Sequence, residues 1–235
     1  MVRPAVVLAT TGVVLVLAIG LAVVTARAVR PMLPPRGHAG PIVPVETVGT
    51  STRALYANAA ATQLLLGVAL AVGLWVGGLR PSDLGLGGDV VRAGAVGFGL
   101  GLALAAANAG LQAGLGRVGV PYDDRLRRLL APRTHGDWVA LFAVVLPTVA
   151  AFEELLFRGA LIGAVAVALG ISPWWLVPLS AVTFALGHGL QGAVGLLAAG
   201  ALGAVLATGF VVTGDLLVVV VAHYVVNAVE FGVAR

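Results

Sequence analysis

Three short patterns in the C-terminal half of the sequence set ionisable or amide side chains into otherwise apolar runs. They are Glu153-Glu154-x-x-x-Arg158, Phe184-x-x-x-His188 and His223-x-x-x-Asn227. In the ten residues before Phe152 the only polar side chain is Thr148, and from Gly159 to Ile171 there is none. Ionisable groups at membrane depth cost ~2.5–3.5 kcal/mol each on insertion scales, so they are rare and tend to be functional. A spacing of four puts both members of a pair on one helix face. Glu154 and Arg158 can therefore neutralise each other. Glu153 is turned ~100° away by the 3.6-residue repeat and needs partners of its own. Taken singly, each pattern has a structural reading: an ion pair with a protonated spare acid, a histidine at a helix end, an interhelical His–Asn hydrogen bond. Taken together they are a hydrolytic constellation. A glutamate can act as general base on a water, and an imidazole or an amide can donate to a developing oxyanion. Glu153, His188 and His223 could alternatively hold a zinc ion. A reaction without a metal is the expectation, with zinc as the alternative.

These side chains need a scaffold that tolerates them in lipid. The 235 residues are 60% hydrophobic and 10% charged, with a mean hydropathy of +1.05. Soluble domains carry ~25% charged residues, so this composition is that of an integral, multi-pass protein of the cell membrane. The apolar runs are continuous and near twenty residues, which predicts spanning helices rather than alternating barrel strands. The net charge of +4 comes from 14 basic residues, all arginine. The arginines lie mainly in the loops between apolar runs, where they orient helices, so the high pI does not argue for nucleic acid. Cysteine is absent, which excludes disulfides, thiolate metal sites and a cysteine nucleophile.

The expected fold is all-α, a polytopic bundle of about seven transmembrane helices in one domain, residues 1–235. Segment one runs from Ala5 to about Ala26. A retained helix is the reading, with a signal peptide cleaved near Ala26-Arg27-Ala28 as the alternative; the apolar core exceeds the ~7–15 residues of a signal sequence. Pro31 to Thr52 is a loop broken by five prolines, Pro31, Pro34, Pro35, Pro41 and Pro44. Segment two is Ala54 to about Leu79, followed by the turn Arg80-Pro81-Ser82-Asp83-Leu84-Gly85. Segment three is about Val90 to Leu115, with Asn108 and Gln112 on one face for interhelical hydrogen bonds. Leu126, Leu129 and Leu130 among charges predict a short amphipathic surface helix. Segment four is about Trp138 to Leu169, with a kink at Pro147. Segments five to seven are Pro173 to about Leu190, about Gly192 to Val212, and Leu216 to about Val233. The pairs Gly73/Gly77, Gly97/Gly101 and Gly110/Gly114 have the spacing of close helix contacts.

The loop after segment one carries Arg27, Arg30, Arg36 and Arg53, and the loop after segment three carries five arginines, whereas the loops after segments four and six carry none. The positive-inside rule puts the first two at the cytoplasmic side. With seven spans the C-terminus is then cytoplasmic. The expected cavity opens to the cytoplasm, with its base near Glu153.

Other intramembrane chemistries fit less well. The sequence has no G-x-S-x-G and no H-E-x-x-H, and an aspartyl pair would need two membrane Asp residues, for which Asp215 at a helix end is the one candidate. The three patterns, in this order on three late helices, resemble the CPBP family, which includes the type II CAAX prenyl endopeptidases and the bacteriocin-immunity (Abi) proteins. The resemblance is carried by Glu153-Glu154-Leu155-Leu156-Phe157-Arg158, Phe184-Ala185-Leu186-Gly187-His188 and His223-Tyr224-Val225-Val226-Asn227, within residues 138–233. Phe157-Arg158-Gly159 and the turn at Leu79–Gly85 fit the same family.

The resemblance implies an intramembrane endopeptidase acting on a membrane-associated peptide or protein. Glu153 would activate the water with help from His188, and His223 and Asn227 would form the oxyanion site. Glu154, Arg158 and Phe184 would support them. The alternative is a non-catalytic immunity or chaperone-like membrane protein of the same fold, in which the polar residues brace the bundle. A proton-coupled carrier would call for two corresponding Gly/Pro-interrupted halves, and none stands out.

Overall fold

The computed structural model describes residues 1–33, 51–120 and 123–233. The proline-rich stretch from Pro34 to Pro44, with Arg36, falls outside the described residues. Among the described residues eight helices follow one another: α1 Pro4–Val29, α2 Thr52–Val76, α3 Val90–Arg117, α4 Arg125–Leu129, α5 His135–Leu169, α6 Pro173–Gly187, α7 Gly192–Thr213 and α8 Leu216–Val233. Six of them are long and apolar enough to cross a membrane. The seventh apolar helix, α6, is shorter, roughly 22 Å by helical rise. α4 is the expected short helix among the arginines. Its Leu129 is buried against Val29, Leu33 and Leu55.

Local signals account for the helix ends. Ser51 accepts the Ala54 amide at 3.1 Å, and Asp89 accepts those of Val91 and Arg92, satisfying donors that have no intrahelical partner. Thr134 and Asp137 form a reciprocal capping box at the start of α5. Gly170 and Gly214, at φ +64° and +66°, stop α5 and α7 in the left-handed conformation that an L side chain resists. The turn at Pro81–Leu84 buries Leu84, and the carbonyl of Gly85 accepts the Leu216 amide at 2.8 Å. That turn therefore fixes where α8 begins.

α5 is the axis of the bundle, in contact with α1, α2, α6, α7 and α8. It contains two π-helical stretches, Leu141–Val145 and Leu155–Ala164. The first precedes Pro147, where the sequence predicts a kink. Proline cannot donate to the ladder, and its ring crowds the carbonyl four residues back. Widening the preceding turn accommodates it. The second begins immediately after Glu154 and contains Arg158. Such stretches frequently mark functional sites. One carbonyl in it, that of Phe157, accepts a hydrogen bond at 3.0 Å from Ser180 of α6, which is fully buried.

Two of the three glycine pairs pack helices together. A Cβ on Gly77 would lie 2.8 Å from a Val7 methyl of α1, and one on Gly101 would lie 2.6 Å from Val225 Cβ of α8. Gly110 and Gly114 have nothing within 4 Å of such a Cβ, so the expectation of packing fails for that pair. The spacing is the same; what differs is the face, since Gly110 follows Asn108, which meets α8, by two residues and so points away from that helix. Gly101→Leu is accordingly expected to destabilise the protein by about 1–3 kcal/mol through overpacking. Gly110→Ala is expected to leave it unchanged or slightly more stable. Thermal unfolding in detergent, followed by circular dichroism, separates the two. Equal melting shifts would contradict this packing of α3 on α8.

Candidate active site

Glu154 and Arg158 lie one turn apart on α5, and both are 0% exposed. Arg158 Nη1 donates to Glu154 Oε1 at 2.8 Å, and Nη2 donates to the Gly203 carbonyl of α7 at 2.8 Å. The guanidinium carbon also lies 4.8 Å from the centroid of the Phe184 ring of α6, within cation–π range. The pairing read from the four-residue spacing is present. The spacing along α5 gave no sign of the second partner of Glu154. His223 Nδ1, on α8, lies 2.7 Å from the same Oε1. One carboxylate thus takes an arginine from its own helix and an imidazole from another, and the cluster ties α5, α6, α7 and α8 together.

That contact sets the chemistry of His223. A carboxylate engaged by a guanidinium is an acceptor, so Nδ1 carries the hydrogen it donates. The other nitrogen, Nε2, lies 3.8 Å from Glu153 Oε2. This separation is beyond hydrogen-bond range and is one that a water can bridge. Glu153 is turned away from Glu154, as the helical repeat requires, and its Oε2 is buried with no hydrogen-bond partner. The leftover acid therefore faces an imidazole whose opposite edge is held by the neighbouring acid.

His188 ends α6. Its backbone amide reaches only to Ala185, and its ring Nδ1 bonds the carbonyl of Phe184 at 2.8 Å. The side chain satisfies a carbonyl that continuing helix would have used, which is why α6 stops at Gly187 although the sequence stays apolar to Leu190. Since a carbonyl only accepts, Nδ1 carries the hydrogen and Nε2 is the free acceptor. Phe184 connects the two imidazoles: its ring lies 4.5 Å from that of His188 and 5.8 Å from that of His223.

A cavity of about 230 Å³ opens beside these groups. His188, His223 and Asn227 line it, together with apolar side chains of α3 and α7 such as Leu104 and Leu202. Glu153 is not among the lining residues. It approaches the cavity through His223, which lies against both carboxylates and lines the cavity as well. Among the described residues, no three His, Asp or Glu side chains are grouped as a metal ion would need. Glu153, His188 and His223 do not form such a set, and both Nδ1 atoms are already engaged.

Three further polar side chains line the cavity, Asn108, Gln191 and Glu230. Asn108 of α3, expected to bond a neighbouring helix, donates to Oε1 of Glu230 on α8. Gln112 makes no such bond. Glu230 went unnoticed in the sequence. The signal was available, because His223, Asn227 and Glu230 follow at intervals of four and three and share one face.

Residues 135–229 match the protein family described as Rce1-like, type II CAAX prenyl endopeptidase. This is the family that the three patterns resemble, and the match contains all three. No curated protein and no solved structure matches the chain.

Proposed function

We propose, from the premise that the motif-bearing part of this chain matches the type II CAAX prenyl endopeptidase family, that the protein hydrolyses peptide bonds of membrane-associated substrates with a water activated by Glu153. At the level of the family it is a CAAX-type intramembrane protease. The observation that carries the finer reading is the position of His223, between the two glutamates on one side and the cavity on the other.

The groups divide the work as follows. Glu153, with an unpartnered oxygen, takes a proton from the water. His188 Nε2, an acceptor because Nδ1 is committed to a carbonyl, accepts a hydrogen bond from the water's second hydrogen, which stays on the oxygen, and so orients it. The water oxygen attacks the carbonyl carbon, and the electron pair moves onto the carbonyl oxygen. Asn227 donates to that oxyanion from its amide. His223, as the imidazolium, donates from Nε2 to the same oxyanion. Collapse of the tetrahedral intermediate breaks the carbon–nitrogen bond, and the proton held by Glu153 passes to the departing amine. Glu154 and Arg158 touch no reacting atom. They hold the His223 ring in place and are positioning residues. No step is assigned to a metal.

The five arginines from Arg117 at the end of α3 to Arg133 before α5 support a cytoplasmic placement of that loop. With α6 counted as a crossing, the C-terminal end of α8 and the adjoining end of the cavity then face the cytoplasm.

Direct attack by water has its own signature. Purified protein in liposomes, given a membrane-peptide mixture in ¹⁸O-labelled water, is expected to place the label in each new C-terminal carboxyl group. Added hydroxylamine is expected to yield no hydroxamate, since no acyl-enzyme forms. Hydroxamate products would replace the water mechanism with a covalent one, and an absence of new termini would sink the endopeptidase reading.

A further inference from the structure

Glu230 lines the cavity, and no step above uses it. It lies on the His223–Asn227 face of α8, seven and three residues further on. Its Oε1 accepts a hydrogen bond from Asn108, a neutral amide. It forms no ion pair among the described residues. The cationic or chargeable groups near enough to act on it are Arg127 of α4, His188 of α6 and His223. α7 contains no charged residue, and the cavity-lining part of α3 offers only Asn108 as a polar group.

A carboxylate in an apolar span is costly unless paired. One amide satisfies hydrogen bonding at one oxygen and supplies no counter-charge of its own. The facing walls are hydrocarbon: Leu104 and Leu111 of α3, Leu202 and Val205 of α7. An occupant of the cavity therefore meets an apolar surface on one side and one carboxyl group, bonded to an amide, on the other.

We propose that Glu230 is a specificity-determining residue that receives a Lys or Arg side chain of an otherwise apolar substrate segment, two to four residues from the scissile bond. The inference rests on the endopeptidase reading. The spacing follows from geometry: seven helical residues advance ~10 Å, and an extended peptide covers that distance in about three residues at ~3.3–3.6 Å each. The length of the basic side chain widens the range by about one residue either way.

The test uses the full chain in neutral phosphatidylcholine liposomes, where lipid charge does not concentrate basic peptides. The probes are synthetic Leu/Ala-rich peptides carrying Lys, Gln or Glu at one position within four residues of the centre. Binding is read on the Glu153→Gln variant and cleavage on the unaltered protein, with sites assigned by mass spectrometry. Lys peptides are expected to exceed Gln peptides by about tenfold in affinity and in kcat/KM, with Glu peptides lowest. Glu230→Gln is expected to bring the Lys/Gln ratio to within about twofold, and Glu230→Lys to move the preference to Glu peptides. Equal handling of Lys and Gln peptides, or a Lys preference that survives Glu230→Gln, overturns the inference. The Lys-against-Gln comparison keeps residue 230 unaltered, so it stands even if those variants fail to fold. A binding preference that follows residue 230 without any cleavage supports the inference and sinks the endopeptidase reading. Cleavage without charge preference does the reverse.

Discussion

Glu153→Gln is expected to lower peptide hydrolysis by roughly 10²–10⁴-fold, the usual contribution of a positioned general base, while the melting temperature stays level or rises. The two halves of this expectation have one cause. Among the described residues Glu153 makes no hydrogen bond, and its buried Oε2 has no partner, so a neutral isostere removes a buried charge rather than a hydrogen bond. Residues that serve chemistry at the expense of stability show this pattern of opposite signs. The measurement is the rate of release of new termini by reconstituted protein, set beside thermal unfolding in the same detergent. Hydrolysis within about threefold of the unaltered rate would take Glu153 out of the reaction, being far short of the general-base contribution. A marked loss of stability with no loss of cellular effect would favour the non-catalytic alternative, in which the polar residues brace the bundle.

Arg158→Met is expected to give the largest loss of stability, about 3–5 kcal/mol, as for other buried pairs from which one partner is removed. The guanidinium is fully buried and serves Glu154 and the Gly203 carbonyl at once. Without it Glu154 keeps only His223, and the carbonyl of Gly203 loses its donor. At ~2–4 °C per kcal/mol for a chain of this size, the melting temperature should fall by roughly 6–20 °C. Arg158→Lys recovers only part of this, because an ammonium cannot span two acceptors with a planar fork. Adding Glu154→Gln to Arg158→Met should restore part of the stability, since the carboxylate left without its guanidinium is then gone. It should not restore hydrolysis, because His223 loses the carboxylate that holds its ring. A double variant recovering stability and activity together would show that Glu154 and Arg158 have no positioning role.

Much of the fold was legible in order along the chain. Apolar length marks the spans. Ser51, Asp89 and Thr134 mark helix starts, and Gly170 and Gly214 mark stops. These are local effects: a capping hydrogen bond or a left-handed glycine acts within one turn. The Glu154–Arg158 pair was legible for the same reason, because both partners ride on one helix. The end of α6 was not, since the sequence stays apolar past His188 and the helix is stopped by that residue's own ring.

The sequence by itself determined that polar groups of three helices must meet in lipid, because an isolated charge there is too costly to keep without use. It also determined that Glu153 and Glu154 part company, because adjacent helical residues point ~100° apart. Only the tertiary structure decided with whom each acid is left. The rotation and depth of α8 against α5 bring His223 Nδ1 to Glu154 and Nε2 towards Glu153. The same packing places Gly101 under Val225, leaves Gly110 uncovered and sets Glu230 beside Asn108. Spacing along one helix fixes which side chains share a face. Which neighbour that face meets depends on how whole surfaces interlock, and that is settled by all the side chains of the contact together.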